Sequence, residues 1–173
     1  EDQIQGGGLR ITTTFNKSAM QSMEAAVKAQ RPVGKFKGLH IGAASIDVKT
    51  GALKAVYGGQ DYLKSSFNWA YRGGQPGSTF KAFAVAAALK AGYALKDTFE
   101  GNSPYTFPDG VEVKNEGPGN GNNYGAHISL TKAMEQSVNT AFVDLTQGLP
   151  NRGGDVNKMA YTLGIPEDRT TLE

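Results

Sequence analysis

The chain predicts an α+β fold, a helical cluster with part of an antiparallel sheet. Two strand-like runs, His40–Val48 and Ala52–Tyr57, flank Lys49-Thr50-Gly51, and that glycine suits a hairpin turn. The run from Thr79 to Ala91 is alanine-rich and apolar on nearly every face, the pattern of a buried helix. Apolar residues at helical spacing, with capping residues before them, recur upstream and downstream of that run. At 173 residues the chain is long enough to bury a real core.

The elements follow in order. Gly6-Gly7-Gly8 reads as a flexible linker, and Leu9–Thr14 alternates weakly. Residues 1–15 therefore lead into a domain occupying 16–173. Asn16 can cap a helix running to about Gln30, with Met20, Met23 and Val27 on one stripe. After the loop Arg31–Gly38 comes the hairpin, with Lys49 and Thr50 exposed at its tip. Gly58–Gln75 is irregular. Gly92 can adopt the left-handed conformation that ends the alanine-rich helix. Asp97–His127 is rich in Gly, Asn and Pro, and Tyr105–Val113 forms a small hairpin around Pro108-Asp109-Gly110. The glycine-rich segment Gly117–Gly125 reads as a mobile loop, either bordering a cleft or serving as a plain surface connection. Leu130–Gln136 and Thr140–Gln147 are helical stretches, and Ser129 is an N-cap. Val156, Met159, Ala160 and Leu163 have helical spacing, closed by Gly164 and Pro166.

Composition removes several classes of function. Net charge is +2 with basic residues scattered, so nucleic acid is not a partner. There is no cysteine, which excludes disulfides and thiol catalysis. His40 and His127 stand far apart with no H-E-x-x-H string, so no metal site is expected, and no cofactor. No G-x-S-x-G elbow is present. No stretch reads as a membrane span or a signal peptide.

The chemistry concentrates in Gln75-Pro76-Gly77-Ser78-Thr79-Phe80-Lys81. A Pro-Gly turn delivers Ser78 to a helix N-terminus, where unpaired N–H groups and the positive dipole end favour developing negative charge. Lys81 lies three residues on, on the same helix face, so its amine can reach the Ser78 hydroxyl. An ordinary lysine is a poor base, with only about one in 2,500 deprotonated at pH 7. Burial disfavours its charged form and can lower its pKa by roughly 3 units. The neutral amine can then take the serine proton, as nucleophilic catalysis by a hydroxyl requires. A phosphate cradle is excluded by order, because Lys81 follows the serine and Pro76 lacks a backbone donor. Ser129-Leu130-Thr131-Lys132 repeats the S-x-x-K string without the Pro-Gly turn or a continuous apolar run.

Arg72–Lys81 resembles the nucleophile segment of the penicillin-binding proteins, in particular the transpeptidase domain of the bifunctional (class A) enzymes. Such domains use S-x-x-K, then S-x-N, then K-T-G, in chain order. Ser137-Val138-Asn139 follows the first string between two helices and is similar to the second. Ser66-Phe67-Asn68 also spells S-x-N, but it precedes Ser78 and matches the family's structural lead-in. Lys49-Thr50-Gly51 spells K-T-G, again upstream, and no such string follows Asn139.

The resemblance implies an incomplete penicillin-recognising serine transferase (β-lactamase-like) fold, with 16–173 as the N-terminal portion of the domain. It implies a serine D,D-transpeptidase that cross-links peptidoglycan stem peptides through an acyl-enzyme on Ser78. In that role Lys81 is the base, Ser137 relays a proton, and Asn139 binds the lysine and the substrate backbone. β-Lactams would acylate Ser78. The implied partners are the stem peptides, β-lactam antibiotics and a downstream half of the same domain carrying K-T-G. The implied location is extracytoplasmic, with the membrane reached only through an upstream anchor. Two alternatives stand beside it: a D,D-carboxypeptidase or β-lactamase with water as acceptor, and a folded piece that is inert without a second segment.

Overall fold

The computed structural model describes residues 6–72 and 74–167 of the 173. The chain forms two compact units that divide between Gln75 and Pro76.

In the first unit, α1 spans Lys17–Gln30. The Asn16 side chain caps it as expected, accepting from the Ala19 N–H at 2.9 Å. Met20, Met23 and Val27 form a half-buried stripe, and α1 packs on a two-stranded sheet. Strands β1 (Ala43–Ile46) and β2 (Leu53–Tyr57) pair antiparallel, Ala44 opposite Val56, with a bulge after Ser45. Both are shorter than the apolar runs predicted. The Asp47 carboxylate accepts from the Lys49 and Thr50 N–H groups and from the Thr50 hydroxyl, so residues 47–52 close a tight turn instead of extending the ladder. At the other end His40 leaves the sheet and stacks on Trp69, with ring centroids 3.8 Å apart. Trp69 opens α2 (Trp69–Arg72), where Asn68 Oδ1 accepts from the Ala70 N–H. Asn68 thus serves a helix start, in keeping with a structural reading of Ser66-Phe67-Asn68.

The second unit holds the core. A 3₁₀ turn, Gly77–Phe80, leads into α3 (Lys81–Lys90). Then come β3 (Thr98–Phe99), β4 (Tyr105–Thr106), β5 (Glu112–Val113) and β6 (Ile128–Ser129). The helices α4 (Leu130–Glu135), α5 (Asn139–Gly148) and α6 (Gly153–Thr162) follow. β3 pairs with β6 and β4 with β5, both antiparallel, the latter being the small hairpin the sequence predicts. Ala84, Ala87 and Ala88 of α3 pack with Val138, Ala141, Phe142, Leu145 and Val156. The small side chains on α3 let α5 and α6 approach closely.

Two expectations change here. The alanine-rich helix is not buried all round: Ala82 and Leu89 are exposed, and only the face carrying Ala84, Ala87 and Ala88 meets α5 and α6. The glycine-rich segment 117–125 is pinned rather than loose. Asn122 N–H donates to the Glu116 carbonyl, and backbone bonds join Gly101 to Tyr124 and Gly125.

Candidate active site

The site is assembled within the second unit by three segments: the turn before α3, the corner between α4 and α5, and residues 114–116. Gly77, at φ +53°, takes a conformation that a side chain would strain, and the chain then enters the 3₁₀ turn. Sequence reasoning predicts an α-helix from Thr79, but regular α-helix begins only at Lys81. The tighter turn has three residues per revolution, so positions 78 and 81 eclipse. Ser78 is exposed, and its hydroxyl makes no hydrogen bond among the described residues.

Lys81 makes three hydrogen bonds, all to the S-x-N corner. Its Nζ lies 2.7 Å from the Ser137 carbonyl oxygen, 3.1 Å from Ser137 Oγ and 2.7 Å from Asn139 Oδ1. Three of the four residues singled out in sequence are therefore in direct contact, and the fourth, Ser78, precedes Lys81 by one turn.

The corner owes its geometry to Ser137. Helix α4 ends with Val138 N–H donating to Ala133 O and Ser137 N–H donating to Met134 O, a Schellman motif. Its left-handed position is Ser137, at φ +53°. Helices α3 and α6 end with the same wide bond, Tyr93 to Ala88 and Ile165 to Ala160, and there the left-handed residue is glycine, Gly92 or Gly164. A non-glycine residue in this region costs on the order of 1 kcal/mol or more. The strained conformation turns both the carbonyl and the hydroxyl of Ser137 onto one nitrogen.

Burial lowers the pKa of Lys81 below the usual lysine value, while the Glu116 carboxylate pulls it upward. The amine also stands 5.3 Å from the Phe142 ring centroid. As an ammonium, Lys81 can donate to all three oxygens. As a neutral amine it can still donate to the two that only accept, Ser137 O and Asn139 Oδ1, while its lone pair accepts a proton from a hydroxyl. The arrangement suits a base that cycles between the two forms without moving.

Asn139 is oriented by a contact that sequence reasoning missed: its Nδ2 donates to the Lys114 carbonyl at 2.9 Å. Thr140 N–H, an unpaired donor in the first turn of α5, is capped by Asn115 Oδ1 at 3.0 Å. These partners lie 25 residues upstream of the corner, and no short string encodes such a pairing.

The duplicate motifs do other work. Ser129 Oγ accepts from the Lys132 N–H, capping α4, and Lys132 pairs with Glu135. Lys49-Thr50-Gly51 forms the exposed hairpin turn, with the Thr50 hydroxyl committed to Asp47. Among the described residues no cluster of His, Asp or Glu could hold a metal ion.

An α+β chain in which the lysine of an S-x-x-K turn is held by the serine and asparagine of an S-x-N corner has the architecture of the penicillin-recognising acyltransferases. Residues 41–167 match the family model for the penicillin binding protein transpeptidase domain, and the chain belongs to that family. It is 33% identical to penicillin-binding protein 1A of Mycolicibacterium smegmatis, covering 100% of this chain and 21% of that protein. The solved penicillin-binding protein PonA1 of Mycobacterium tuberculosis superposes with a TM-score of 0.80 at 31% identity, over 95% of this chain and 41% of that one. The same PonA1 protein in complex with penicillin V gives a TM-score of 0.76 at 30% identity, with the same coverage of both chains. The chain thus spans about a fifth of the curated relative's length. The α+β fold of the family, present here in part, is the one the sequence predicts.

Proposed function

We propose that this chain carries the nucleophile half of a serine D,D-transpeptidase site acting on peptidoglycan stem peptides. The observation that carries the reading is the clamp on Lys81: an amine desolvated by burial, held by Ser137 and Asn139, one turn after an exposed serine. Lys81 takes the Ser78 proton as Oγ bonds to the carbonyl carbon between two terminal D-alanines. The C–N bond then breaks, and Ser137 gives the departing amine a proton that it recovers from Lys81. Asn139 keeps the lysine in register. An amine from a neighbouring strand attacks the acyl-enzyme, and its proton returns by the same route.

β-Lactams acylate Ser78 in this reading, supported by the penicillin V complex of the PonA1 neighbour. The chain's own K-T-G string is committed to an exposed turn, so the carboxylate-binding strand comes from the part of the domain that this segment does not match. Membership of the transpeptidase family supports a site of action on the outer face of the cytoplasmic membrane; no helix among the described residues is long and apolar enough to cross a membrane.

The test is labelling of the full-length protein with a fluorescent penicillin. General-base catalysis contributes roughly 10²–10⁴-fold, so Lys81→Ala should slow labelling by that order with the fold retained, and Ser78→Ala should abolish it. Normal labelling of either variant would sink the assignment. Rapid hydrolysis of the adduct would mark a β-lactamase, and a long-lived adduct excludes that alternative.

A further inference from the structure

Asn115 is a polar residue with 5% exposure, and its side chain uses all of its hydrogen-bonding capacity. Its Nδ2 donates to the Gly101 carbonyl at 3.1 Å and the Asn122 carbonyl at 3.0 Å. Its Oδ1 accepts from the N–H and the hydroxyl of Thr140, at 3.0 and 3.2 Å. Its backbone N–H donates to Ser103 Oγ, which itself donates to the Asn120 carbonyl. Gly121 faces the Asn115 carbonyl so closely that a side chain there would collide with it. A buried amide satisfied at both ends has one orientation, and losing it leaves several buried groups unpaired.

That rigidity is delivered to Asn139. The carbonyl directly before Asn115, that of Lys114, accepts from Asn139 Nδ2 at 2.9 Å. An amide offers donors at one end and an acceptor at the other. A fixed carbonyl at Nδ2 therefore turns Oδ1 toward Lys81, where it sits 2.7 Å from Nζ. The neighbouring residue, Thr140, is held by Asn115 itself, so one side chain anchors both the partner of Asn139 and the first turn of α5.

We propose that Asn115 is a positioning residue for the acyl transfer, holding Asn139 with its oxygen on Lys81 by fixing the Lys114 carbonyl and the start of α5. The inference rests on the proposed function and adds a residue that none of the S-x-x-K, S-x-N or K-T-G strings contains.

The experiment is a double-mutant cycle in the full-length protein, reading the rate constant for penicillin labelling of Ser78 over hours, with circular dichroism to establish the folded fraction. Misplacing a reacting group by about 1 Å can cost up to roughly 100-fold, so Asn115→Ala should slow labelling about 10- to 100-fold. In an Asn139→Ala background the same change should cost less than about 3-fold, because the contact it supports is already gone. Should Asn115→Ala not fold, the isosteric Asn115→Asp replaces it. That variant keeps an oxygen for Thr140 and loses the donors to Gly101 and Asn122, and it should show the same dependence on Asn139. Equal losses in both backgrounds would mean that Asn115 only stabilises the fold, and no loss in either would overturn the proposal outright. Wild-type protein that fails to label refutes the proposed function and this inference with it.

Discussion

At Lys81 two influences oppose each other. Burial disfavours the ammonium, the Glu116 carboxylate favours it, and burial is the larger. The consequence has a definite sign. In the proposed mechanism only the neutral amine can accept the Ser78 proton, so acylation should rise with pH through a midpoint below the usual lysine value of 10.5. Glu116 is exposed and its carboxylate raises that midpoint, so Glu116→Gln should move the rising limb to lower pH. The shift should shrink in about 1 M salt, where the screening length falls to roughly 3 Å. The pH dependence of labelling, measured with and without salt, checks both statements, and an unmoved or upward-moved limb would contradict them. The spacing of Ser78 and Lys81 makes their kinship legible in the sequence. The environment of the lysine is not legible there, because it is set by residues 137, 139 and 116, each more than thirty positions away.

Asn16 and Ser129 act as caps that local sequence announces, since a side-chain oxygen next to a helix start has few other uses. The Ser137 corner is different. Its strings announce a helix junction, yet nothing about a serine signals the left-handed conformation that Gly92 and Gly164 adopt at the matching ends of α3 and α6. The strain and the hydroxyl can be separated by substitution. Ser137→Ala removes the hydroxyl and keeps the unfavourable backbone, whereas Ser137→Gly removes both. Thermal unfolding should find the glycine variant more stable than the alanine variant by about 1 kcal/mol. Penicillin labelling should be slowed alike in both, because each lacks the hydroxyl proposed to relay the proton. If the alanine variant is the more stable, the backbone at Ser137 is not strained in solution. The 3₁₀ turn before α3 is equally hidden, because the alanine-rich run from Lys81 onward favours an α-helix and no string distinguishes its first revolution, Gly77–Phe80, from the turns that follow.

Across the whole chain, the buried apolar residues are unevenly shared between the two units. The contiguous core, from Ala84 to Val156, lies entirely within the second unit, while among the described residues of the first only Ala55 is fully buried. The alanine run and the later helical stripes made this core legible in the sequence. The thinness of the first unit was not, because its Ile, Val and Leu content reads as core, yet Ile46, Val48 and Leu63 are exposed. Local opening free energy follows buried apolar contact. Native-state hydrogen exchange should therefore find the slowest amides in α3 and α5, at positions such as Ala88 and Leu145, which are fully buried. Amides of α1 and of the β1–β2 ladder should exchange through smaller openings, by roughly 10-fold or more, since each 1.4 kcal/mol of local stability is a factor of ten. The candidate site then rests on the more protected unit, which suits chemistry that depends on Lys81, Ser137 and Asn139 staying in register. Protection in β2 equal to that in α5 would show that the two units open as one, and would remove this basis for the rigidity of the site.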